Sequence, residues 1–156
     1  MKTILIGIMA VLLLVFGYFY MLGVRSKGGS PPGLVEGRLS VCSAKPNCVC
    51  SEQATNTSHY VSSLAMPQQA IDSSMQQLVE EIEVAGGVVV MKQEAYLAAT
   101  FTSSLMRYVD DLEVRIDAAE NKVHFRSASR VGHSDFGVNR KRIEQLQAAL
   151  IARGWQ

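Results

Sequence analysis

Residues 108–129 read YVDDLEVRIDAAENKVHFRSAS, and this stretch decides the fold. Leu112, Val114 and Ile116 alternate with Asp111, Glu113 and Arg115. Val123, Phe125 and Ser127 alternate with His124, Arg126 and Ala128. Successive side chains of a strand point to opposite faces, so each run reads as a half-buried strand. The polar Asp117–Lys122 loop between them makes a hairpin. Its register follows if both apolar sets share one face. With Ile116 facing Val123, Leu112 falls opposite Ser127, Glu113 opposite Arg126, and Asp110 opposite Ser129 on the inward side.

Two more strand-like runs precede the hairpin, Gly87–Gln93 and Tyr96–Thr102. Leu97, Ala99 and Phe101 share a face of the second. Ahead of them, Pro67–Ala85 carries Ile71, Met75, Leu78, Ile82 and Ala85 at helical spacing. Pro67 suits the first helical position and Gly86-Gly87 the exit. A last helix lies within Val138–Arg153, with Ile143, Leu146 and Leu150 on one face and Gly154 ending it. The expected body is therefore α+β: a two-layer sandwich, a four-stranded antiparallel meander with both helices on one face and the other face polar and open.

Composition bounds the rest. The chain has 156 residues, 48% hydrophobic and 19% charged, with a formal net charge of +1. That suits one ordinary domain, is too apolar for a disordered chain, and lacks the overall basic charge of a DNA-coating protein. No phosphate-loop, dinucleotide or zinc-ligand spacing occurs, and no cofactor or metal is expected.

Ile4 to Val24 is a run of 21 residues without a charge, flanked by Lys2, Arg25 and Lys27. A helix of that length spans about 30 Å of hydrocarbon. Phe16, Tyr18, Phe19 and Tyr20 gather toward its C-terminal end, as in an interfacial belt. A cleaved signal peptide has a shorter apolar region followed by a small-x-small site, so residues 1–25 read as a transmembrane anchor, with a signal sequence as the alternative. Residues 26–37, SKGGSPPGLVEG, read as a Gly/Ser/Pro linker, and 38–156 as a single domain. The flanking charges do not decide orientation. The short N-terminal tail and the cysteines place the domain in the periplasm, on a single-pass anchor in a bacterial inner membrane.

Cys42, Cys48 and Cys50 cannot all pair within one chain. Cys42 closes a short loop through the Lys45-Pro46-Asn47 turn with Cys48, unless Cys50 competes for it. Cys48 and Cys50 are poorly placed for each other. The spacing is not one that zinc uses.

The charges are distributed unevenly. From Pro46 to Glu120 there are three basic and eleven acidic residues; from Asn121 onward, seven basic and two acidic. Arg140, Lys141 and Arg142 stand at the start of the last helix, where cations oppose its dipole. They call for a partner: Asp135, the Asp110-Asp111 pair, or a bound anion. Internal pairing would join Arg126 to Glu113 and Arg140 to Asp110. A ligand site would use Arg126, Ser129, Arg130, Asn139 and Arg140. A hydrolase would use His133 with Asp110 or Asp135 and Ser129 or Ser134, but no nucleophile elbow surrounds either serine. His59 carries no partner signal, and Asn56-Thr57-Ser58 is a common chance sequon. The basic run lacks interleaved aromatics, which argues against nucleic acid as a partner.

Cys42 with Lys45-Pro46-Asn47-Cys48-Val49, Tyr96–Phe101, Tyr108–Glu113, Arg126–Gly132 and Gly137–Arg142 occur in the order seen in domain-of-unknown-function family 1499, which the chain resembles from about Gly33 to Ile151. The resemblance implies a bacterial or plastid protein without an established activity. Its shared polar residues fall on Asp110, Asp111, Arg126, Ser127, Ser129, Arg130, Asn139 and Arg140. The family pattern has serine where Cys50 stands, which implies Cys42–Cys48 as the disulfide and Cys50 as an extra thiol. Function is expected to be non-catalytic: binding of an anionic small molecule, lipid headgroup or envelope partner. An enzyme and a purely structural module remain the alternatives.

Overall fold

The computed structural model describes residues 1–53, 57–67 and 70–156. The sequon's Asn56 lies outside the described residues. The chain runs α1 (Lys2–Ser26), β1 (Leu34–Val35), β2 (Arg38–Leu39), β3 (Cys48–Cys50), β4 (Leu64–Ala65), α2 (Ile71–Val84), β5 (Val88–Lys92), β6 (Tyr96–Thr102), β7 (Val109–Asp117), β8 (Lys122–Ser129) and α3 (Val138–Ala152).

The meander β5-β6-β7-β8 is present and antiparallel. The hairpin has the expected register, with Ile116 opposite Val123, Leu112 opposite Ser127, Glu113 opposite Arg126 and Asp110 opposite Ser129. The sheet has six strands rather than four. β3 pairs with Arg126–Ala128 of β8, and β4 pairs with Lys122-Val123 on the same strand. Strands of three and two residues carry too little alternation to be read from sequence.

Helix α3 falls within its expected range. Helix α2 starts at Ile71, not at Pro67: Ala70 is still extended (φ −61°, ψ 146°), and Gln68 and Gln69 lie outside the described residues. Met75, Leu78 and Ile82 of α2 meet Ile143, Leu146 and Leu150 of α3 over Leu97, Leu112, Val114, Val123 and Phe125. This is the main core, on the face expected for the helices. Gly87 is required where α2 turns into β5: a Cβ there would lie 2.7 Å from side-chain carbons of Ile82 and Phe101.

The opposite face is not open. Leu39, Cys42, Cys48 and Cys50 bury Tyr96, Ala98 and Ala128 beneath them. A composition rich in Gly and Pro reads as a spacer, yet the backbone donors of this covering segment are taken by side chains. Gly33 N donates to Glu113 (3.0 Å), Leu39 N to Glu52 (2.6 Å) and Cys42 N to Gln53 (2.8 Å). Satisfying those donors is what allows irregular chain to lie on a sheet. The two-residue β1–β2 turn uses Glu36 and Gly37, both with positive φ (51° and 75°), as a tight hairpin requires.

Helix α1 is long and apolar enough to cross a membrane, and its apolar stretch is not buried by the rest of the described chain. Its C-terminal turn meets the sheet. Ser26 Oγ donates to Gly23 O (2.6 Å) and accepts from Val109 N (3.0 Å).

Candidate functional site

Alternation along β7 and β8 sends neighbouring polar residues to opposite faces of the sheet. Two networks result. Beneath the covering segment, Glu113 has no exposure at all. Its carboxylate accepts from Arg126 Nη1 (2.7 Å), Tyr96 Oη (2.8 Å) and Gly33 N (3.0 Å). Burial, and then the Glu113 carboxylate that it donates to, push the Tyr96 phenol far above its ordinary value. On the same face Arg130 grips Asp111 through Nε (3.0 Å) and Nη2 (2.7 Å), a two-pronged geometry suited to a carboxylate. Its Nη1 donates to Ser26 O (3.1 Å), which ties the end of α1 to β8.

On the helix face, Arg142 Nη2 pairs with Asp110 (2.8 Å), Nη1 reaches Ser127 Oγ (2.9 Å), and the guanidinium lies 4.5 Å from the centre of the Phe101 ring. Ser127 Oγ donates to Asn139 Oδ1 (2.6 Å). Asn139 Nδ2 donates to Ser129 Oγ and to Asn47 O, both at 3.0 Å. Asp135 accepts the Gly137 and Asn139 amides (3.1 and 2.7 Å), capping α3.

The five residues proposed for one ligand site are therefore distributed over three places. Arg126 and Arg130 lie on one face, Ser129 and Asn139 on the other, and Arg140 donates to Ser58 O (3.0 Å) away from both. Arg126 does pair with Glu113, whereas Asp110 is held by Arg142, not by Arg140. Helical phase does not separate the two arginines, since Arg142 stands three residues after Asn139 and Arg140 three residues before Ile143. His133 is exposed, and no hydrogen bond joins it to Asp110 or Asp135, whose oxygens serve Arg142 and the helix cap.

Cys42 and Cys48 form the disulfide, with Cα atoms 5.6 Å apart. Cys50 is free and buried, and burial raises its thiol above the ordinary value, which makes it a poor nucleophile. Among the described residues no cluster of three or more His, Cys, Asp or Glu side chains could hold a metal ion.

Sequence reasoning also missed a cavity. It has a volume of about 510 Å³ and opens between residues 27–31 and the outer face of β5–β7. Lys27, Ser30, Thr100, Thr102, Val109 and Arg130 line it. No carboxylate is among these, and Lys27 makes no ion pair with a described residue. Its signal lay in the 26–37 segment, which composition presented as a spacer only. Comparison with curated proteins finds no match. The model of the family described as protein of unknown function, DUF1499, matches residues 38–150, and the chain belongs to that family.

Proposed function

We propose that the chain is a membrane-anchored, non-catalytic module, with its domain in the periplasm of a bacterium, that binds an anionic small molecule or lipid headgroup. The supporting observation is the cavity beside α1, lined by Lys27 and Arg130 with the hydroxyls of Ser30, Thr100 and Thr102 and without a lining carboxylate. An anion there would meet an unpaired ammonium and the donors that Arg130 leaves free beyond Asp111 and Ser26. The disulfide suits an oxidising compartment.

The paired state of Arg126, Arg130 and Arg142 favours a second reading, in which these arginines serve only the fold. Thermal stability of the full chain across a panel of anions and phospho-ligands separates the two. A ligand at a hundred times its dissociation constant adds about 2.7 kcal/mol. That shift is expected for one narrow ligand class and is lost in Lys27→Ala, which breaks no ion pair. Stabilisation by nothing in the panel sinks the binding reading. Reporter fusions after Gln156 test the orientation: activity of a cytoplasm-only reporter would end the periplasmic assignment.

A further inference from the structure

The turn between β6 and β7 lies against the end of α1. Gly23 packs on this turn so closely that a Cβ there would collide with the Met106 carbonyl oxygen. Ser26 holds Val109, the first residue after the turn, and the phenol of Tyr108 is pushed above its ordinary value by burial and then by the nearby Tyr18 phenol. Gly23 stands within the uncharged run Ile4–Val24, so the turn lies level with the end of that run, not beyond it.

What it presents at that level suits a lipid surface. Leu105, at the tip, is 74% exposed, and Arg107 is exposed beside it. Asp110 pairs with Ser129, so the loop after β8 leaves the sheet at the same end. That loop carries Phe136, 97% exposed and held in a left-handed backbone conformation (φ 55°). Arg25 and Lys27 lie at the exit of α1. Apolar tips among cations are the composition of an interfacial membrane contact, where apolar groups sink about 5–10 Å and cations meet headgroup phosphates.

We infer that the β6–β7 turn is a second membrane contact: Leu105 enters the headgroup–acyl boundary of the bilayer that α1 spans, with Arg107 at the phosphates. Phe136 is the second tip of the same surface. This rests on α1 staying attached and is independent of the anion cavity.

The test places a nitroxide at Leu105→Cys, Phe136→Cys or Ala118→Cys in full-length Cys50→Ser protein. The protein is reconstituted in vesicles of phosphatidylcholine and phosphatidylglycerol. Ala118 is in the β7–β8 turn, at the far end of the strands. Collision rates with oxygen and with a water-soluble nickel chelate are then compared. The oxygen-to-nickel ratio is expected to be several-fold higher at 105 and 136 than at 118. A ratio at 105 equal to that at 118 overturns the inference. So does a position 105 shielded from both reagents, which is the result for cover by a second copy or another protein. An anion that stabilises the chain while 105 stays water-exposed would keep the cavity reading and remove this one.

Discussion

Glu113 shows how much a single carboxylate can commit a fold to one arrangement. Burying two charges costs several kcal/mol per ion before pairing, so the Glu113–Arg126 pair is a weak source of net stability. Removing one partner is expensive, because the other charge stays buried. Glu113→Ala is expected to lose about 3–5 kcal/mol in urea unfolding, and Glu113→Leu with Arg126→Met to recover most of it. A double variant no more stable than the single one would show that the pair contributes beyond its desolvation cost. The pairing itself was legible, since register alone set the two residues opposite. Its burial was not, because the cover arrives from Gly33, 80 residues away in sequence. His124 gives the second residue-scale prediction. Burial lowers its pKa below the ordinary 6.5, with Arg115 also lowering it and Glu52, Asp117 and Glu120 acting the other way. The Ser51 hydroxyl lies 3.2 Å from Nδ1. The unfolded chain takes up the proton first, so stability present above pH 6.5 is lost as pH falls through the lower folded value. Melting temperature followed across that window should drop in the native protein and drop less in His124→Gln; equal slopes would contradict the assignment.

Among the elements, α3 breaks a local rule with Arg140-Lys141-Arg142 at its positive end. The compensation is Asp135 on the first amides and Asp110 on Arg142. Both aspartates were foreseeable as partners; the choice of Arg142 over Arg140 was not, because each lies three residues from one of the buried residues Asn139 and Ile143. Asp135→Ala should cost about 0.5–2 kcal/mol, the usual loss of a cap, with the fold retained by circular dichroism. Strands β6, β7 and β8 were legible because each alternates over five or more residues, and β5 because Val88–Met91 is a short apolar run after Gly86-Gly87. The expected start of α2 at Pro67 is too early: Pro67 is an acceptable first helical residue, yet Ala70 is still extended and the helix begins at Ile71. The disulfide holds part of the covering segment, and its reduction should cost about 2–3 kcal/mol in chemical denaturation. No change on reduction would mean that the cover is held by its hydrogen bonds alone.

For the whole molecule, the family-matched span 38–150 is less than the structural unit. Gly33 and Ser26 lie before it, and Trp155, 2% exposed with Nε1 donating to Gln77 (2.7 Å), lies after it. Deleting a buried tryptophan costs about 3–5 kcal/mol. A fragment 38–150 should therefore melt well below 26–156 or lack a cooperative transition; equal melting would show that the flanks add nothing. The helix-side core and the order of the four meander strands could be read from one sequence because they rest on local periodicity, whereas β3 and β4 could not. The cover, the cavity and the α1 contact could not, because they join segments of unremarkable composition across long stretches of chain. The contact at Gly23 and Ser26 has a mechanical meaning. A domain on a slack leash would swivel and sample a wide cone of directions. If α1 crosses a bilayer as proposed, helix and sheet share one torsional frame, so a twist of the helix about its axis swings the domain by the same angle, and any partner must approach a face whose compass bearing is already set.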